Sequence, residues 1–212
     1  MKRFMLTVVF AGLVVAAGPV CAGAAEATPK APEPPRLAVT VADETVTTGY
    51  DLKPQAIEDL QELKKKFADL AAAIPQDKYT WRPGPGVRSV SETLLHVTQA
   101  NYFILSLMGV TRPAGTDAKD FEKSTTDKTK IIGELNKSFA FAEAEVGKMT
   151  NADFAKPLPK LGPKANDGDV VYLLVTHCHE HLGQMIAYAR INGVVPPWTA
   201  AAQAKRGKSP QD

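Results

Sequence analysis

Four stretches of the chain carry apolar residues at steps of three and four. Ile57, Leu60, Leu63, Phe67, Leu70 and Ile74 form the first stripe, which predicts a helix from about Pro54 to Ile74, with Pro54 suited to its first turn. The second opens at Ser89. Its S-x-x-E spacing to Glu92 is that of a capping box, and the helix runs to about Met108 before Gly109. Ile132, Leu135, Phe139, Ala142, Val146 and Met149 define a third helix, from about Thr126 to Met149, with the seam pattern of a bundle. The fourth begins after Asp167 or Asp169 and runs to about Asn192, with Gly193 as its C-cap and Pro196 and Pro197 beyond. Nothing between residues 51 and 199 alternates like a strand for long. Four amphipathic helices with inward stripes predict an all-α fold, a four-helix bundle over residues 51–199.

The pattern changes outside that segment. Lys2 and Arg3 precede an uncharged, apolar-rich run from Phe4 to Ala17, and Val20-Cys21-Ala22 puts small residues at the −3 and −1 positions of a cleavage site. Residues 1–22 read as a signal peptide cut after Ala22, with a cut after Ala24 nearly as good. The run is shorter than the roughly 20 residues of a membrane span. The expectation is export, periplasmic or secreted, with no membrane attachment after signal cleavage. An uncleaved N-terminal anchor is the alternative. Pro29, Pro32, Pro34 and Pro35 make residues 23–50 a Pro-rich, extended linker. Its Val/Thr-rich part, residues 37–48, either adds a short strand or lies along the domain. Residues 200–212 carry Lys205, Arg206 and Lys208 and read as a flexible, frayed basic tail.

Composition narrows the function. The 212 residues are 44% hydrophobic and 23% charged, which excludes collagen-like and low-complexity classes. Residues 1–22 hold two bases and no acid, so cleavage leaves 23 Lys and Arg against 23 Asp and Glu. Zero net charge argues against nucleic acid as a partner. Cleavage also removes Cys21. Cys178 is then the only thiol, and no internal disulfide forms.

All four histidines fall on the second and fourth predicted helices. His177 and His181 lie about 40° apart on one face, whereas His179 lies about 200° away, at the surface or a helix seam. Val170, Leu173, Leu174 and Tyr188 share the face of the pair, which puts it in the middle of the apolar stripe. On the second helix, Phe103, Leu107 and Ala100 lie within about 40° of His96, so His96 points inward as well. Three buried imidazoles without partners would cost roughly 1–3 kcal/mol each. They need hydrogen bonds, charge or a metal. An i, i+4 pair with a third His from a neighbouring helix suits a divalent transition metal and leaves a position open for water. Hydrogen-bonded core histidines are the plainer alternative. Gln184 lies about 20° from His177 and is a candidate site lining. Glu92 lies about 40° from His96 and is the one inward carboxylate available as a base, although the capping box accounts for it more simply. Glu180 reads as surface, Cys178 as a small buried filler, and Trp81 and Trp198 as covers for the ends of the core.

Two blocks carry a family resemblance. Tyr79 to Phe103, YTWRPGPGVRSVSETLLHVTQANYF, resembles the W-x-P, S and x-E-x-L-x-H entry into the second helix of the DinB-like (YfiT-like) proteins. Val175 to Trp198, VTHCHEHLGQMIAYARINGVVPPW, resembles that family's H-x-x-x-H-x-G-Q and G-x-x-P-P ending. The resemblance implies a four-helix bundle with a divalent metal, zinc, nickel or similar, on His96, His177 and His181. It also implies a metal-dependent hydrolase or a thiol S-transferase acting on a small-molecule substrate, and a homodimer. Two features depart from the family. Glu180 stands where members often carry another His, and the export signal disfavours a cytosolic thiol cofactor. A non-enzymatic metal-binding or structural bundle is the alternative function. Substrate specificity is expected from the loops over 110–125 and 155–168.

Overall fold

The computed structural model of the protein describes residues 52–206. The signal segment, the linker with residues 37–48, and residues 207–212 lie outside the described residues. Four long helices dominate: α1 (Leu52–Ala73), α2 (Val90–Ser106), α3 (Lys128–Lys148) and α5 (Asp167–Ile191). A short α4 (Asn151–Phe154) and a C-terminal α6 (Pro197–Arg206) complete the set, with single 3-10 turns at Gln76–Lys78 and Phe121–Lys123. There is no strand among the described residues, only one isolated bridge between Pro157 and Asn166.

The packing order differs from the chain order. α1 and α2 each pack against α3 and α5, so the consecutive helices α1 and α2 sit diagonally across the bundle. The fully buried residues Leu60, Leu63, Phe67 and Leu70 of α1 share one core with Ile131, Leu135 and Phe139 of α3, with Phe67 and Phe139 at 5.8 Å between ring centroids. Each such side chain contributes roughly 1.5–3 kcal/mol when removed from water. Such a diagonal needs a firm connection. Tyr79 is buried and donates its hydroxyl to Ala71 O at 2.8 Å, while Ser91 N and Val90 N donate to Tyr79 O and Trp81 O. The segment after α1 is thereby stitched to the first turn of α2. There the expected capping box is present, with Glu92 N donating to Ser89 Oγ and Ser89 N to Glu92 Oε2.

Two expectations need correction. Residues 200–206 are not a frayed tail but continue α6. Pro197 occupies a first turn, where its missing N–H costs nothing, and four alanines follow within seven residues. Trp198 leans on the core and lies under Lys66 Nζ of α1. The second correction concerns the stripes. Phe103 and Leu173 are exposed, at 49% and 43%, so the histidine face is not the middle of the core. On α5 the buried face centres on Leu174, Cys178 and Met185, about 60–100° round the helix from His177. The angles correctly grouped residues onto one face, but that face is the outer edge of the α2–α5 seam.

Candidate metal centre

The seam between α2 and α5 gathers three imidazoles. α2 supplies His96, and α5 supplies His177 and His181 one turn apart, so that one ligand atom from each lies within 4.8 Å of the others. Ring centroids are separated by 5.2 Å for His96 and His177, 4.7 Å for His96 and His181, and 4.5 Å for the α5 pair. The Nε2 atoms of His96 and His177 are 3.2 Å apart. Two nitrogens bound to one tetrahedral ion at about 2.0–2.1 Å lie about 3.3 Å from each other. The spacing fits.

The hydrogen-bond partners fix two tautomers. Glu122 Oε1 lies 2.7 Å from His96 Nδ1. A carboxylate only accepts, so Nδ1 carries the hydrogen and a neutral ring keeps its lone pair on Nε2. His181 reaches the same state by a longer route. Tyr188 donates its hydroxyl to Arg88 O at 3.2 Å and accepts from Gln184 Nε2 at 2.8 Å. That turns the Gln184 amide oxygen towards His181 Nδ1, at 2.8 Å, where it accepts the ring hydrogen. His177 differs, since its Nδ1 is buried without a hydrogen-bond partner. An unpaired buried nitrogen costs roughly 1–3 kcal/mol, and an ion held at the ring's other nitrogen, Nε2, would leave that cost in place.

Charge acts in the same direction. Burial pushes His177 down to about 4, with the neighbouring His181 and His96 adding to the effect. Burial also lowers His96, outweighing the upward pull of Glu122. Burial alone would raise the Glu122 carboxyl, but Arg88 and His96 hold it below the usual carboxylate range. His96 and His177 are thus neutral near pH 7 and need release no charge-stabilised proton to act as ligands.

The other candidates separate clearly. Gln184 belongs to the site through His181. Glu92 is bound to Ser89 in the capping box and to Arg82 at 3.0 Å, and neither contact is to a histidine. The carboxylate that touches His96 is Glu122, which sequence reasoning missed. It sits in a 3-10 turn of the α2–α3 connection, where no periodicity marks it. Arg88 escaped notice too. Tyr188 lies on the His177 face by helix geometry, and its hydroxyl reaches the site from there. His179 and Glu180 are exposed, Cys178 is fully buried, and Trp81 packs edge-on against Tyr188 at 5.4 Å. A cavity of about 700 Å³, lined by Arg82, Arg88, Glu92, Glu122, Lys123 and Gln184 among others, opens beside the histidines' supporting residues.

Comparison with known proteins gives a consistent picture. The family model of the DinB superfamily matches residues 59–185. No curated protein matches the chain. Among solved structures, a DinB-like protein from Bacillus cereus is 19% identical, with a TM-score of 0.58 over 68% of this chain and 95% of its own. YfiT from Bacillus subtilis is described as a probable metal-dependent hydrolase with an unusual four-helix bundle topology. It is 18% identical, with a TM-score of 0.53 over 68% of this chain and 89% of its own.

Proposed function

The chain belongs to the DinB superfamily, and on that premise we propose that it is an exported metal-binding protein, a metal-dependent hydrolase or transferase whose ion is held by His96, His177 and His181. The observation that carries the reading is the convergence of the three imidazoles, two of them oriented by Glu122 and Gln184 through Nδ1 so that their Nε2 lone pairs are the ones left to the site. A set of three imidazole nitrogens suits zinc, nickel or a similar borderline divalent ion. Such an ion, with a coordination position left open, lowers the pKa of a bound water and supplies a nucleophile near neutral pH. The likeness to YfiT supports hydrolysis.

The chain's own residues have distinct parts. Glu122 and Gln184 orient His96 and His181, and burial keeps His177 neutral. The cavity beside them has room for a small-molecule substrate. Glu92 is assigned to the helix cap and to Arg82 rather than to the reacting centre. Export rests on the pattern of residues 1–22, and a homodimer on the family resemblance alone. The export signal still disfavours the thiol-transferase version.

One observation favours a second reading, metal binding without catalysis. Both carboxylates that line the cavity, Glu92 and Glu122, are paired with arginines, which leaves no free base there. Elemental analysis of the untagged mature protein should find about one transition metal per chain, and none in His96→Ala. A folded wild type without metal would overturn the proposal. A loaded protein inactive across ester, amide and thiol-transfer substrates would favour the second reading.

A further inference from the structure

We infer that Arg88 is a positioning residue for two of the three candidate ligands at once, holding His96 through its guanidinium and His181 through its backbone carbonyl. The inference rests on the metal-binding reading above, but it concerns tautomers that exist with or without the ion.

The first arm is the side chain. Arg88 Nε donates to Glu122 Oε2 at 2.6 Å and Nη2 donates to Glu122 Oε1 at 3.1 Å, a two-pronged pairing that fixes the plane of the carboxylate. The same Oε1 accepts the Nδ1 hydrogen of His96. The second arm is the main chain. Arg88 O accepts from the Tyr188 hydroxyl, which accepts from Gln184 Nε2, whose amide oxygen accepts from His181 Nδ1.

The backbone at Arg88 has reason to stay where it is. Arg88 immediately precedes Ser89, the N-cap of α2, and Arg82 Nη1 donates to Val87 O at 2.8 Å. The residue is therefore pinned by helix capping on one side and by a closed loop on the other. His96 and His181 come from different helices, yet their orientation is referred to this one point. His177 has no such support, and its Nδ1 is without a partner.

A surface ion pair alone would have little effect. The Arg88 side chain is 43% exposed, and exposed pairs contribute little to fold stability. Loss of a residue that orients a metal ligand, in contrast, weakens metal affinity by about 10–100-fold. The two roles are thus separable by experiment. Arg88→Ala keeps the carbonyl and breaks only the Glu122 arm. Tyr188→Phe keeps the guanidinium and breaks only the His181 arm.

The test has two readouts on the wild type and both variants. Zinc affinity is measured by competition with a chromophoric chelator, and the imidazole tautomers of the metal-free protein are read by 15N NMR at about pH 8, above the ordinary His pKa. The wild type should carry Nδ1–H on His96 and His181. Arg88→Ala should disturb that signature at His96 alone and Tyr188→Phe at His181 alone, each raising the zinc Kd by about 10–100-fold. The thermal midpoint of metal-free Arg88→Ala should scarcely move. Nε2–H tautomers in the wild type, or selective losses that fail to appear, would overturn the inference. So would zinc affinities of both variants within about twofold of the wild type. A wild type that binds no zinc yet shows the selective tautomer losses would sink the metal reading and leave the positioning role standing.

Discussion

α2 and α5 face each other across two polar clusters that solve one problem in opposite ways. Asn101 lies five residues after His96 on α2, and Cys178 directly follows His177 on α5. Asn101 Nδ2 donates to Ser138 Oγ at 3.1 Å, Cys178 Sγ donates to Asn101 Oδ1 at 3.2 Å, and Ser138 Oγ donates to Leu135 O at 2.8 Å. All three side chains are fully buried, and burial pushes the Cys178 thiol up to about 12. Each of the three side chains bonds to a neighbour, so the cluster joins α2, α3 and α5 and closes on itself. The histidines nearby are half-buried or at the edge of burial. The Nδ1 hydrogens of His96 and His181 are spent outward on Glu122 and Gln184, which leaves their Nε2 lone pairs for the site, while His177 Nδ1 has no partner. A polar cluster that closes on itself specifies packing, whereas one whose free lone pairs converge calls for an ion.

That contrast breaks if the two clusters respond alike. The largest expected effect is on metal removal. With metal at 100 times its Kd, binding stabilises the fold by about 2.7 kcal/mol, so chelation should lower the melting midpoint by about 5–10 °C. Superimposable melts with and without chelator would place the histidines in the same class as Asn101. Next comes Asn101→Ala, which leaves Ser138 and Cys178 without their buried partner. Urea denaturation should register a loss of about 1–3 kcal/mol, with metal content unchanged. Loss of metal from that variant, still folded, would show that the two clusters are one. The smallest effect is expected from Glu92→Ala, about 0.5–1 kcal/mol from the lost helix cap, with metal content and any hydrolysis retained. If hydrolysis vanished while the fold held, Glu92 would return to the reacting centre.

The helices were legible because their signals are local. The spacing of Ser89 and Glu92 marked the start of α2, and the structure begins that helix at Val90. Gly193, at a φ of 76°, takes up the left-handed turn that closes α5. The three histidines were legible for the same reason, since α-helical geometry groups residues three, four and seven apart. How deeply that face lies in the bundle was not. Leu173 shares a face with His177 by angle yet points to solvent, because depth depends on where the other helices sit. Glu122 lay beyond reach altogether. It arrives at His96 from a 3-10 turn 26 residues along the chain, placed there by Arg88 rather than by any repeat. The paired prolines 196 and 197 misled at the C-terminus, because a proline that ends one helix is equally fit to open another.

The wide separation of the three candidate ligands along the chain implies an order of events. His177 and His181 come within reach of one another as soon as a turn of α5 forms. His96 stands 81 residues before His177, and joins them only when the two halves of the bundle close. An ion met early would find two candidate ligands on one helix, whereas the finished bundle would offer it three. On the proposed reading, retention of the ion would mark maturity, in chains whose folding is complete.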